Sequence, residues 1–181
     1  MTAQGSLFQS PRRDSSLRVG PAGWNYKDWE GIVYPAGRTA DALAFLADYC
    51  DTIEINSSFY APPRPKDAAA WARRVRNNPR FKFTAKAWQR LSHEREPGEE
   101  SSLGADCEEV RRSMAPLAEA GILGAVLVQF PWRFRCTPEN QEYLDRLFRH
   151  LRDFPLALEV RHGSWNRDSF YDFLRERGVG F

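Results

Sequence analysis

Thr52-Ile53-Glu54-Ile55-Asn56 decides the fold: Ile53 and Ile55 fall on one side of an extended chain, Glu54 and Asn56 on the other. Side chains of a strand alternate with a period of two, so the segment reads as a strand with one apolar face and one polar face. The same pattern recurs outward from it. Phe81, Phe83 and Ala85 oppose Lys82, Thr84 and Lys86; Leu156, Leu158 and Val160 oppose Glu159 and Arg161; Ala125 to Phe130 is apolar apart from Gln129. Leu17 to Gly20 is the fifth short candidate strand.

Helical patterns fill the intervals. Leu43, Leu46, Ala47 and Cys50 share a face, as do Ala68, Trp71, Ala72 and Val75, the latter helix opening at Pro65. A third helix falls within Cys107 to Ala120, with Pro116 expected to kink or restart it. A fourth begins at Thr137-Pro138, and a fifth runs from Asn166 to a stop at Gly178. Strands spaced by about 30 to 45 residues with a helix between them are βα units, and their sheet is parallel. The expected class is α/β. The segment Ser92 to Gly104 reads as a long polar loop.

With 181 residues, the chain suits one domain, taken as 17–181 behind a disordered tail, 1–16, that has no apolar run for a signal or anchor. Net charge is only +2, which gives no strong field for phosphate backbones. Cys50, Cys107 and Cys136 are widely spaced, so free thiols in a reducing cytoplasm are expected, with no disulfide framework. His93, His150 and His162 show no metal-ligand spacing, and no phosphate-binding or dinucleotide-binding glycine motif occurs. No metal, no cofactor and no membrane contact are therefore expected.

If the aliphatic faces meet the helices, Glu54, Asn56, Lys86, Gln129, Glu159 and Arg161 converge near the strands' C-terminal ends, where barrel enzymes carry out chemistry. His162 follows directly and can serve as acid or base. The competing reading is an internal network of paired charges that only fills the fold. Aromatic residues follow each strand: Trp24 and Tyr26, Phe59 and Tyr60, Trp88, Trp132, and Trp165. They are the candidate substrate-binding rim, on which sugars or unpaired bases would stack; the alternative is that they close the top of the fold.

Val19-Gly20-Pro21-Ala22-Gly23-Trp24, Thr52 to Tyr60, Phe83-Thr84-Ala85-Lys86-Ala87-Trp88, Gln129-Phe130-Pro131 and Glu159-Val160-Arg161-His162 together resemble the YecE-like family, also known as domain of unknown function 72. The resemblance spans Leu17 to Phe181. It implies a TIM-type (β/α)8 barrel, an intracellular location and no established activity. Glu54, Asn56, Tyr60, Lys86, Gln129, Glu159, Arg161 and His162 match family motif positions. Gly163 replaces a usual proline, and Pro21-Ala22 replaces a more polar pair.

A complete barrel takes about 250 residues. This sequence accounts for five βα units and the start of a sixth strand at Val179-Gly180-Phe181, so a truncated barrel able to self-associate through its open edge is expected. Three functions follow as expectations: a hydrolase or lyase-type enzyme on a sugar-containing or phosphorylated small substrate, a module that stacks single-stranded nucleic acid, or a non-catalytic remnant.

Overall fold

A computed structural model describes residues 17–35, 41–95 and 102–181. The expected tail, 1–16, and residues 96–101 of the expected polar loop lie outside the described residues. Among the described residues four strands form one sheet in the order β1 (Thr52–Ile55), β2 (Lys82–Lys86), β3 (Leu123–Gln129), β4 (Leu156–Glu159). Every neighbouring pair is parallel. Among the described residues five α-helices connect and flank them: α1 (Ala42–Tyr49), α2 (Pro65–Arg74), α3 (Leu103–Glu119), α4 (Pro138–His150) and α5 (Asp168–Glu176).

The aliphatic face is the buried one. Ile53, Ile55, Phe83, Ala85, Val126, Val128, Leu156 and Leu158 share a core with Leu43 and Leu46 of α1, Met114 and Leu117 of α3, Leu144 and Leu147 of α4, and Phe170 and Leu174 of α5. Full burial of such side chains stabilises by about 1.5–3 kcal/mol each. The polar positions of β1, β2 and β4 remain half-buried on the opposite face, in strict alternation. The register sets Glu54 beside Thr84, Lys86 beside Leu127, and Gln129 beside Glu159. Between β2 and β3 the register slips: Phe83 faces Leu123 while Thr84 faces Ala125, leaving Gly124 as the extra residue of a bulge.

Both ends of the sheet carry further backbone pairing. Asp51 N donates to Val19 O at 3.2 Å and Glu54 N to Pro21 O at 3.0 Å. The expected strand Leu17 to Gly20 is thus corrected to a short paired segment beside β1, because Pro21 has no N–H with which to continue a ladder. Its Gly20 passes so close to β1 that a Cβ there would lie 1.6 Å from Thr52 O. At the other edge Gly180 N donates to Leu156 O and Leu158 N to Gly180 O, both at 2.9 Å. The sheet is open.

Three helix features differ from expectation. α3 opens at Leu103 rather than within Cys107 to Ala120, which corrects the end of the expected polar loop Ser92 to Gly104 to helix, because buried Leu103 extends the apolar stripe of Cys107 and Val110 by one turn. Pro116 lies inside α3, which continues to Glu119 without a restart. Placed within one turn of the C-terminus, it disturbs only the last intrahelical bonds. The fifth helix starts at Asp168 rather than Asn166, since Asn166 ends the 3-10 turn Gly163–Trp165. α4 is capped as expected, Thr137 Oγ1 accepting from Asn140 N at 3.3 Å.

Candidate functional site

Each strand delivers a polar side chain at or just before its C-terminal end, and the pairing register turns those positions into neighbours. Lys86 Nζ lies 3.9 Å from Glu54 Oε1, joining β2 to β1. Both side chains are about three-quarters removed from solvent, at 25% and 27% exposure. One strand pair further on, Gln129 Nε2 donates to Glu159 Oε2 at 2.5 Å, and Arg161 Nε donates to Glu159 Oε1 at 3.0 Å. Burial pushes the Glu159 carboxyl up, but hydrogen bonds from Gln129 and Arg161, with the charges of Arg161 and Lys86, outweigh it and hold the group below the ordinary glutamate range. Glu159 is therefore an anion at neutral pH.

Asn56 follows β1 and donates from Nδ2 to Ala22 O at 3.3 Å. Its Oδ1 is buried without a hydrogen-bond partner among the described residues. The residue lines a cleft of about 430 Å³ with Trp24, Asn25, Tyr26 and Ser57.

Sequence reasoning missed two residues here. Ser58 is 2% exposed, and its Oγ lies 2.6 Å from Ile55 O and 2.7 Å from Lys86 O. One hydroxyl proton thus serves the carbonyl ends of both β1 and β2, fixing the backbone from which Lys86 projects. A serine within the Asn56-Ser57-Ser58-Phe59 run carries no marker of that role. In the sequence, His93 lies in a polar loop and shows no metal-ligand spacing. It follows the 3-10 turn Gln89–Leu91, with its ring centroid 5.0 Å from that of Phe59 and Nδ1 3.0 Å from Ser92 Oγ. Burial lowers its pKa, and the cations Arg133, Arg161 and Lys86 lower it further against the opposing charge of Glu159. The imidazole is neutral at pH 7 and senses the charges of β2 and β4 together. Its position seven residues past the end of β2, in the loop at the strands' C-terminal ends, is the signal that could have marked it.

The expected aromatic rim is uneven. Tyr60 and Trp132 are open to solvent at 71% and 63% exposure, and Tyr26 at 37%. Trp165 is corrected to a core residue: it is 1% exposed, its Nε1 donates to Phe134 O at 2.8 Å, and its ring stacks on Phe134 at 5.3 Å. Trp24 is half-buried with its ring 5.2 Å from Trp71 of α2, which makes it a packing residue on the helix side. Trp88 is also half-buried; it donates to Tyr60 O at 3.2 Å and carries the Arg90 guanidinium over its ring. Large apolar rings bury wherever the surface lets them, and the sheet's helix-facing side takes two of the expected seven.

His162 lies against Trp132, with ring centroids 4.9 Å apart. Its Nδ1 accepts from Ser164 N at 3.1 Å, capping the turn Gly163–Trp165.

Residues 18–181 match the family described as protein of unknown function DUF72. The chain belongs to the DUF72 family. Among proteins similar to it, the UPF0759 protein YunF of Bacillus subtilis (strain 168) is 29% identical over 167 residues, covering 90% of this chain and 58% of YunF. A crystal structure of a DUF72 family protein from Thermotoga maritima MSB8 is 31% identical, with a TM-score of 0.68 over 90% of this chain and 62% of that one. Another, from Enterococcus faecalis V583, is 29% identical, with a TM-score of 0.66 over 78% of this chain and 53% of that one. The chain thus spans about three-fifths of the length of the DUF72 relatives it matches. No helix among the described residues is long and apolar enough to cross a membrane, and no group of three or more His, Cys, Asp or Glu among them has the geometry to hold a metal ion.

Proposed function

We propose that this DUF72 chain supplies five βα units of a TIM-type (β/α)8 barrel, with a hydrolase or lyase-type active site on its polar sheet face that takes a sugar-containing or phosphorylated small substrate. The barrel reading is supported by a parallel sheet whose strand order follows the chain without reversal, flanked at both edges by further segments that pair in the same direction. Three free cysteines, all of them among the described residues, fit the reducing cytoplasm.

The observation that carries the enzymatic reading is Lys86, a basic side chain on the polar sheet face paired with the carboxylate of Glu54 on the neighbouring strand. It is 3.9 Å from Glu54, and its charge also acts on Glu159. An ammonium paired in this way can protonate a leaving oxygen while an anionic carboxylate takes up a proton from water or from carbon, so net charge in the site is conserved through the step. The neutral imidazole of His93 offers a second proton acceptor in the same electrostatic field. Arg133 and Arg161 favour a substrate with negative or acceptor oxygens.

Turnover of aryl glycosides and aryl phosphates by the purified chain tests this reading. Glu54→Gln and Glu159→Gln should each reduce kcat by at least about a hundredfold, the usual share of a general acid or base. Wild-type turnover in both variants would remove the roles assigned to them. The base-stacking alternative needs Trp24, Trp132 and Trp165 together; with Trp165 in the core and Trp24 packed on α2, only Trp132 presents an open ring.

A further inference from the structure

The loops that follow β3 and β4 are bound into one unit. Trp165 Nε1 reaches Phe134 O, Cys136 N donates to Ser164 Oγ at 2.9 Å, and the Phe134 and Trp165 rings stack. Within this unit the proton positions of His162 are determined. A backbone N–H can only donate, so the 3.1 Å contact from Ser164 N makes His162 Nδ1 an acceptor. Ser164 Oγ already receives the Cys136 N–H, and at 2.9 Å from Nδ1 it turns its own proton toward the same lone pair. Two donors converge on Nδ1. The neutral ring must then carry its proton on Nε2, which has no hydrogen-bond partner among the described residues. Beside it Trp132 is 63% exposed, its indole tilted 56° to the imidazole.

We propose that Trp132 and His162 form a preset binding subsite for a flat ligand ring bearing an acceptor oxygen. The ring stacks on Trp132, and the oxygen, whether of a hydroxyl, ether or phosphoryl group, accepts from His162 Nε2–H. In that tautomer His162 acts as a donor that orients ligand rather than as the site's base. The subsite names the outer part of the substrate for the reading given under Proposed function and rests on that reading only in placing ligand at this end of the sheet. Its donor is rigid before any ligand arrives, because the capping hydrogen bond, the serine hydroxyl and the tryptophan face all fix the ring.

The test begins on the 181-residue chain itself. Long-range proton–nitrogen NMR of the ¹⁵N-labelled protein at mildly alkaline pH should show the His162 ring with Nδ1 unprotonated and Nε2 protonated. Observation of the opposite tautomer overturns the proposal outright. Phenyl β-glucoside and phenyl phosphate are then titrated separately, and the two together distinguish a neutral oxygen from a phosphoryl one as the acceptor. Shifts at both the His162 ring and the Trp132 indole are expected with at least one of them.

Asparagine at this position keeps an acceptor for Ser164 N but has no group where Nε2 was, whereas glutamine places an amide N–H there. His162→Asn should therefore weaken binding about tenfold, the worth of one well-made hydrogen bond, and His162→Gln should stay near the wild type. Trp132→Ala should weaken it by on the order of tenfold or more. No shift at either residue with millimolar concentrations of both probes, or unchanged binding by His162→Asn, overturns the subsite. The two readings fail separately: wild-type turnover in Glu54→Gln and Glu159→Gln removes the enzymatic roles, whereas loss of the subsite is read only from the His162 and Trp132 shifts and variants.

Discussion

Gln129 and Glu159 are register partners on adjacent parallel strands, and their side chains meet at 2.5 Å on the polar face of the sheet. Arg161 engages the second carboxylate oxygen at 3.0 Å. Both oxygens of Glu159 are thus occupied by donors that favour the ionised form.

The consequence for stability follows from the sign of that shift. A carboxyl whose folded pKa lies below its unfolded value contributes stability that is fully present above the unfolded pKa and is lost as pH falls through the folded one. Asp145, lowered by hydrogen bonding to Arg177 and by the charges of Arg177 and Arg149, adds a contribution of the same sign. Stability to urea should accordingly fall from neutral pH through the carboxylate range, and Glu159→Gln should flatten that acid limb without altering the alkaline one. A limb of unchanged slope in the variant would contradict the pairing.

Ser58 links the ends of two strands from a buried position. Ser58→Ala leaves the carbonyls of Ile55 and Lys86 with one donor fewer, a loss of about 1–3 kcal/mol. Chemical denaturation should register that loss. The same substitution should also weaken turnover, because the backbone that carries Lys86 loses its tie to β1; a destabilised variant with intact kcat would confine Ser58 to a purely structural part.

Replacement of Trp165 tests the joined loops. Trp165→Ala should cost about 3–5 kcal/mol, the range for deleting a large buried aromatic side chain. Trp165→Phe keeps most of the packing but leaves Phe134 O unpaired, at about 1–3 kcal/mol. Thermal melts of the two variants should rank in that order, and a phenylalanine variant as stable as the parent would mean that the indole hydrogen bond contributes little.

Cys107 is completely buried in α3, and burial pushes its thiol up to about 12, with Asp106 adding to the effect. The thiolate is the reactive form, so Cys107 should resist a disulfide reagent under native conditions while half-buried Cys50 and Cys136 react first. Peptide mapping after brief labelling checks the order. Rapid native labelling of Cys107 would indicate frequent opening of the α3 core.

Much of this architecture was legible in the sequence because alternation in a strand is an all-or-nothing signal. Once Ile53 and Ile55 go inward, Glu54 must go the other way, and the same logic placed Lys86 and Glu159. Helix positions were legible for a similar reason, since Leu43, Leu46 and Ala47 had one face to bury. What escaped was chemistry whose outcome depends on three-dimensional company. Trp165 and Trp132 each follow a strand by a few residues, yet one is core and the other is open, a difference set by Phe134 and Phe170, which pack around Trp165. Ser58 has the composition of any turn serine until two carbonyls are brought to its hydroxyl. The reach of Pro116 depended on its distance from the helix end, which the apolar spacing left open by several residues.

The stacked Phe134–Trp165 pair and the Cys136–Ser164 hydrogen bond have a consequence for heredity as well as for mechanics. Two loops separated in sequence by a whole helix should therefore be inherited as one character: a change at Phe134 should be tolerated best when Trp165 follows, and a new residue at Ser164 should still have to serve Cys136. A substitution at any one of Phe134, Cys136, Ser164 and Trp165 should thus be felt at the other loop, and paired substitutions should be tolerated better than single ones.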